Sequence, residues 1–306
     1  MIRDLDALKT FATIATLGSY ARASDKLGIS RTIASKRVSG LEAELGVKLI
    51  NRTTRTMSLT EAGRKLHVMA DTLFGLLDSA EEDIRSGAAA PRGVLRINAP
   101  MSFGIRHLGP IVDQFLMRYP EVEIELMLDD RIVNIVEEGF DVAIRIRRLE
   151  DSSLLAKRLA PAHMVLCATP AYLDRRGEPQ TPAELDRHEC LVYDYLARQG
   201  VWSFEREGEQ ADVRISGRLR GNNGDVLLQA ALDGLGIILA PTFMAHEALR
   251  SGALKPILCD WRALDAGIYA VMPPGRIDVR RVRAFVDHLG ESLGREPYWD
   301  RDLPIR

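Results

Sequence analysis

Arg31, Thr32, Ser35, Lys36 and Ser39 fall on one side of a helical stretch whose other side is Ala34, Val38 and Leu41. A guanidinium, an ammonium and hydroxyls on one face are the groups that meet base edges and phosphates. Ser30 stands at the position of an N-cap, and Gly28 just before it suits the left-handed turn that ends a preceding helix. Two short helices joined at Gly28–Ser30 make a helix-turn-helix, in which the start of the second helix enters the major groove. Arg31 and Thr32 are therefore best placed for base edges. Lys36 and Arg37, with Arg52, Thr53 and Arg55 in a basic turn further on, suit phosphate contacts, which give affinity and register. A solvated basic helix face is the bland alternative.

A second set of residues suits a small anion. Pro100-Met101-Ser102-Phe103-Gly104 follows an apolar strand and opens a helix, and Gly221-Asn222-Asn223-Gly224-Asp225 opens another. Helix N-termini carry unpaired N–H groups and positive potential, so two facing one cleft would hold a carboxylate. Met101, Ser102, Phe103, Asn222, Asn223 and Gly224 are the expected contacts. Arg145, opposite in strand phase to Ile144 and Ile146, would supply a counter-charge. Plain capping by Ser102 and Asn222 remains open, as does an ion pair of Arg145 with Asp141 or a nearby Glu.

Catalytic patterns are missing. The 6 histidines show no zinc-ligand spacing. Gly234-Leu235-Gly236 lacks the third glycine of a dinucleotide loop and precedes a strand. There is no nucleophile elbow and no phosphate loop. Cys167, Cys190 and Cys259 form neither a metal pattern nor a disulfide framework, which points to a reducing cytoplasm. No catalytic residue, metal or cofactor is expected.

The elements that must carry these groups follow from periodicity. The 306 residues, 46% hydrophobic and 27% charged, suit roughly two compact domains. Net charge is only -2, but residues 1–66 hold twelve Lys/Arg against six Asp/Glu, leaving an acidic remainder. A basic front end on an acidic body fits a module that binds a polyanion. Leu5, Leu8, Ala12 and Ala15 predict a first helix ending at Gly18, and Ser19, Ala23 and Leu27 a second. Leu49–Asn51 and Thr56–Leu59 read as a two-stranded wing around Arg52–Arg55. A long helix runs from Thr60 to about Ser86. Its apolar positions Leu66, Ala70, Leu73, Leu77, Ala80 and Ile84 are spaced alternately four and three apart, the period of a helix that pairs with a second copy. A helix lying on its own domain is the alternative.

After a Gly-Ala-Pro hinge at 87–91, strands and helices alternate from Val94 onward, predicting an α/β architecture with parallel strands. The longest uncharged stretch, Leu159–Leu173, is interrupted by Pro161 and Pro170, too short and broken for a membrane span. Asp4 and Asp6 stand where a secretion signal would be basic.

Gly18-Ser19-Tyr20-Ala21-Arg22-Ala23-Ser24-Asp25-Lys26-Leu27-Gly28-Ile29-Ser30 resembles the opening of the LysR-type transcriptional regulators. So do Leu41-Glu42-Ala43-Glu44-Leu45-Gly46-Val47, Arg52-Thr53-Thr54-Arg55 and Leu59-Thr60-Glu61-Ala62-Gly63. Tyr20, Ser24 and Ile50 depart from the commoner residues, and Gly40 sits inside the recognition helix at a cost of roughly 1 kcal/mol in helix propensity. None of these removes a DNA-facing group.

The resemblance implies a winged helix-turn-helix over 1–59, a linker and dimerisation segment over 60–93, and an effector-binding domain over 94–306. The last would resemble periplasmic binding proteins, with one subdomain from 94–161 and 266–306 and another from 162–265. It further implies double-stranded DNA with a dyad-symmetric operator, a small-molecule effector between the subdomains, and homodimers that assemble into homotetramers. A solute-binding protein or an enzyme on the same scaffold would lack the basic winged front end.

Overall fold

The computed structural model describes residues 2–52, 57–86, 90–147, 154–195, 200–263 and 266–303. Three helices come first: α1 (Leu5–Leu17), α2 (Tyr20–Leu27) and α3 (Arg31–Leu45). Asp4, Ser19 and Ser30 cap them, each side-chain oxygen accepting from a first-turn N–H that has no partner within its helix. Gly28, at φ 65°, turns the chain from α2 into α3. Ala34, Val38 and Leu41 are buried as their spacing predicts. The buried face of α1 is rotated from the expected one. Leu8 is shared, but Phe11 and Ile14 fill the core while Leu5 is exposed, because the aromatic and branched side chains remove more apolar area from water.

The wing forms from β1 (Ile50–Arg52) and β2 (Met57–Leu59), antiparallel with Ile50 opposite Leu59. Glu42 anchors it to α3. Its buried carboxylate accepts from the Leu49 and Ile50 amides at 2.9 and 3.3 Å and from Lys48 Nζ at 2.7 Å. Burial works against this charge, but Lys48 and the two amides hold the carboxyl below its ordinary range.

Helix α4 (Glu61–Ser86) is continuous, and its apolar stripe divides. Ala70 is 1% exposed within the N-terminal core, with Leu66 and Phe74 packed against that core. Leu73 and Leu77 are 38% and 42% exposed, and Ala80 is exposed too. Leu66 and Ala70 are thus not free to meet a second chain, because α4 begins by packing on α1. The side chain of Ile84 lies outside the described residues.

The remainder is α/β with mixed, not purely parallel, sheets. The first subdomain runs β3 (Gly93–Ala99), α5 (Met101–Phe103), a π-helical turn Gly104–Leu108, α6 (Gly109–Arg118), β4 (Val122–Leu128), α7 (Ile135–Glu138), β5 (Val142–Arg147) and β6 (Leu155–Ala162). The second holds β7 (Met164–Ala168), α8 (Pro170–Arg176), β8 (Cys190–Tyr193), β9 (Val201–Arg206), β10 (Glu209–Arg214), β11 (Arg220–Gly221), α9 (Gly224–Leu232), β12 (Ile237–Pro241), α10 (Thr242–Arg250), β13 (Lys255–Pro256) and β14 (Arg262–Ala263). The chain then returns to the first sheet with β15 (Ala266–Met272) and α11 (Arg280–Leu293). Strand order is β4-β3-β5-β15-β6 in one sheet, β11-β8-β12-β7-β13 in a second and β10-β9-β14 in a third. β15 runs antiparallel to β5 and β6. Pro161 lies in β6, an edge strand, where a missing N–H donor is tolerated.

One hydrophobic core joins the two subdomains, with Phe103, Phe115 and Phe285 from the first and Leu227, Ile238 and Phe243 from the second. The C-terminal segment seals it. Trp299 is fully buried against Phe103, His107 and Phe243. His107 Nε2 lies 3.0 Å from the Phe243 carbonyl and so donates to it, leaving Nδ1 to accept from the Tyr298 hydroxyl at 2.7 Å.

Arg276 ties α4 to the α/β domain. Its side chain is 1% exposed and pairs with Asp141 at 3.0 Å and with Asp71 of α4 at 3.0 Å. It also donates to the Val68 carbonyl of α4 at 3.4 Å. Asp141 accepts from the Arg96 amide at 2.9 Å. Burial pushes the Asp141 carboxyl up, opposed by Arg276, Arg281 and that amide.

Two outcomes follow from these buried charges. Arg276→Met strands the Asp141 carboxylate and should destabilise the chain by about 3–5 kcal/mol; the Asp141→Asn/Arg276→Met double variant should recover most of that in denaturant melts. Burial lowers the His107 pKa to about 4 from the 6.5 it has when solvated. Between those values the unfolded chain binds the proton and the folded chain does not, so stability falls as pH drops from about 6.5 to about 4. Thermal melts over that window should show a steeper loss for wild type than for His107→Gln, by up to about 3 kcal/mol.

Candidate functional site

The side of α3 expected to face DNA is open. Arg31, Thr32, Lys36 and Ser39 are exposed and Ser35 half-buried. The Ser30 hydroxyl accepts from the Ile33 amide at 3.2 Å, so it starts the helix. Arg37 is placed differently from expectation. Its guanidinium donates to Asp6 at 2.7 Å and to the Thr10 hydroxyl at 3.3 Å, both on α1. It holds α3 against α1, because its position on the helix turns it toward that neighbour. Arg52 ends β1; Thr53 and Arg55 lie outside the described residues.

The two helix openings expected to face one another do meet. The Ser102 hydroxyl on α5 donates to Asp225 Oδ2 on α9 at 2.6 Å. Arg106, one turn after Ser102, donates to Asp225 Oδ1 through Nε at 3.1 Å and Nη2 at 2.7 Å. Gly224 is close enough that an added Cβ would meet the Met244 methyl at 2.7 Å and the Ser102 hydroxyl at 3.6 Å. Asn223 caps α9, accepting from the Val226 amide at 3.1 Å, and its amide group lies 3.6 Å from the Met101 sulfur. Asn222 is exposed.

Neither helix opening is bare. The Met101 amide donates to Asp130 at 2.9 Å, and Asp225 occupies Ser102 and Arg106. Burial, with the Asp129 and Asp225 charges nearby, pushes the Asp130 carboxyl up. Burial also pushes the Tyr193 phenol up, with Asp130 beside it. Two expected contacts fall elsewhere. Phe103 is fully buried in the aromatic cluster around Trp299, since an apolar ring between two subdomains gains more from burial than from a wet cleft. Arg145 donates to Asn98 at 2.6 Å and to the Ile144 carbonyl at 3.1 Å, and its buried Nη2 has no hydrogen-bond partner among the described residues. Asp141 lies against Arg276 at 3.0 Å, so the alternative of an Arg145–Asp141 pair does not form. Burial, with Arg147 nearby, pushes the Arg145 guanidinium down to about 10.

Asp225, Arg106, Asp130 and Arg276 were missed from sequence. Asp225 stood inside a motif noted for its glycines and asparagines, and Arg106 lies four residues after Ser102, one helical turn. Asp130 and Arg276 meet their partners only in three dimensions. Among the described residues no group of His, Cys, Asp and Glu could hold a metal ion, and no helix is long and apolar enough to cross a membrane. Burial pushes the Cys167 and Cys190 thiols up to about 12, which makes both poor nucleophiles.

Comparison with known proteins agrees with this arrangement. Residues 5–64 match the bacterial regulatory helix-turn-helix proteins of the lysR family, and residues 88–294 match the LysR substrate binding domain. The chain is 37% identical over 295 residues to the HTH-type transcriptional regulator PtxR of Pseudomonas aeruginosa, covering 96% of this chain and 95% of that one. The solved structure of CrgA, a LysR-type transcriptional regulator from Neisseria meningitidis, matches at a TM-score of 0.61 and 30% identity, over 96% of this chain and 100% of that one. A full-length OxyR variant from Pseudomonas aeruginosa shares the fold at a TM-score of 0.69 and 16% identity, over 100% of this chain and 99% of that one. With a helix-turn-helix in front, a substrate-binding domain behind and such relatives along nearly its whole length, the chain belongs to the LysR family of DNA-binding transcriptional regulators.

Proposed function

We propose that the protein is a sequence-specific regulator whose residues 1–59 bind DNA, whose segment 60–93 pairs two chains, and whose residues 94–306 respond to a small anionic effector in the cytoplasm. Arg31 and Thr32 read bases, while Lys36, Ser39 and the wing hold phosphates. Exposure of these groups on α3 supports this reading. Leu73, Leu77 and Ala80 are the part of the α4 stripe left for a second copy, which would set two recognition helices on a dyad-symmetric site, with tetramers as pairs of such dimers. In mobility-shift titrations Arg31→Ala should relax discrimination at one base pair, by roughly 1–3 kcal/mol. Lys36→Ala should weaken all sequences alike and flatten the salt dependence. Unchanged discrimination in Arg31→Ala would sink the assignment of the recognition face.

The effector reading rests on one observation: Asp225 already sits as a carboxylate against Ser102 and Arg106. A small carboxylate, aromatic acids included, would take Asp225's place and so separate α9 from α5. Such a ligand shifts DNA binding only if it prefers one arrangement of the subdomains over another, and its effect must be reciprocal with operator. Arg276, which touches both the effector domain and α4, offers the path from cleft to linker helix. A thermal-shift screen of small carboxylates should raise the melting temperature of wild type. Ser102→Ala should lose that shift while keeping ligand-free DNA binding. No shift with any acid, in a protein that binds DNA, would remove the carboxylate from consideration.

A further inference from the structure

Two features of α3 are explained by neither its capping nor its packing. Ile33 in the first turn is 47% exposed, the one large apolar side chain of this helix left in solvent. Gly40 lies seven residues on, within about 20° of the same stripe, with Lys36 between them. Gly40 is exposed inside a 15-residue helix, and an added Cβ would meet nothing within 4 Å. No φ in the left-handed region and no neighbour requires glycine there, although only proline suits a helix interior less.

An apolar branched side chain, a cation and a bare stretch of backbone on one stripe suit the major groove. Thymine presents its C5-methyl there, and phosphates line the rim. A β-branched side chain has essentially one χ1 rotamer in a helix, so little freedom is lost on contact. The Ser30 cap on the Ile33 amide fixes the first turn, and Arg31 and Thr32 share that turn. A helix with no side chain at position 40 can approach the sugar–phosphate backbone more closely than one with any other residue there.

We infer that Ile33 reads a thymine methyl in each half-site and that Gly40 is kept for the close approach of α3 to DNA. This rests on α3 being the recognition helix. The full-length protein would be used to enrich binding sites from a randomised duplex, and each thymine of the enriched site would be replaced in turn by uracil, which removes only the methyl. Wild type should lose roughly fourfold in affinity at one thymine per half-site, the value of one buried methyl. Ile33→Ala should bind the thymine site more weakly by a similar factor and no longer distinguish uracil there. Gly40→Ala should melt a few degrees higher yet bind DNA several-fold more weakly.

Indifference of wild type to uracil at every thymine overturns the methyl contact, as does a thymine preference that survives Ile33→Ala. Unchanged DNA affinity in Gly40→Ala overturns the close approach. Enrichment of no sequence at all removes the recognition-helix reading itself, and this inference with it.

Discussion

The Arg276 guanidinium is the constraint on which the relation between the two ends of the molecule depends. A permanent cation with almost no exposure needs partners, because an unpaired buried charge is far more expensive than any surface contact can offset. It finds Asp141 in its own subdomain, and Asp71 and the Val68 carbonyl on α4. Asp71 is the more exposed of the two carboxylates, so its pair with Arg276 is the more screened by solvent. The linker helix is thereby held against the effector domain through one buried cation.

The effector domain has a similar division between buried and exposed contacts. Behind the cleft, Phe103, Phe243 and Trp299 pack on one another, and Tyr298 and the Phe243 carbonyl satisfy both nitrogens of His107. At the mouth, the subdomains meet through Ser102, Arg106 and Asp225. The first set is apolar and gains nothing from being opened. The second is ionic and half-exposed, and a competing carboxylate would offer Ser102 and Arg106 equivalent acceptors.

The N-terminal domain commits its charges in the same manner. Glu42 and Arg37 look alike in sequence to the other charged residues around them, yet Glu42 is buried holding the wing and Arg37 leans on α1 in a surface pair with Asp6. Outward in the first half of α3 are Arg31, Thr32, Ile33, Lys36 and Ser39, a face that mixes cationic, hydroxyl and apolar groups.

Local rules were enough for the helix-turn-helix, the wing, the long linker helix and most strands. N-caps at Ser19 and Ser30, the left-handed Gly28 and the burial of Ala34, Val38 and Leu41 are decided within a few residues of chain. The strand β6 and the helices α8 and α10 were not read from sequence; they hold or follow Pro161, Pro170 and Pro241, and an edge strand and the start of a helix both accept proline. The two helix openings of the cleft were legible for the same local reason. Their occupants were not: Ser102 and Asp225 are 123 residues apart and Arg276 and Val68 are 208 apart. The sequence by itself determined most of the helices and strands, and that a basic module precedes an α/β domain. Only the tertiary structure decided which charges are free, since a charge is free or spent according to what the fold brings within about 3 Å of it.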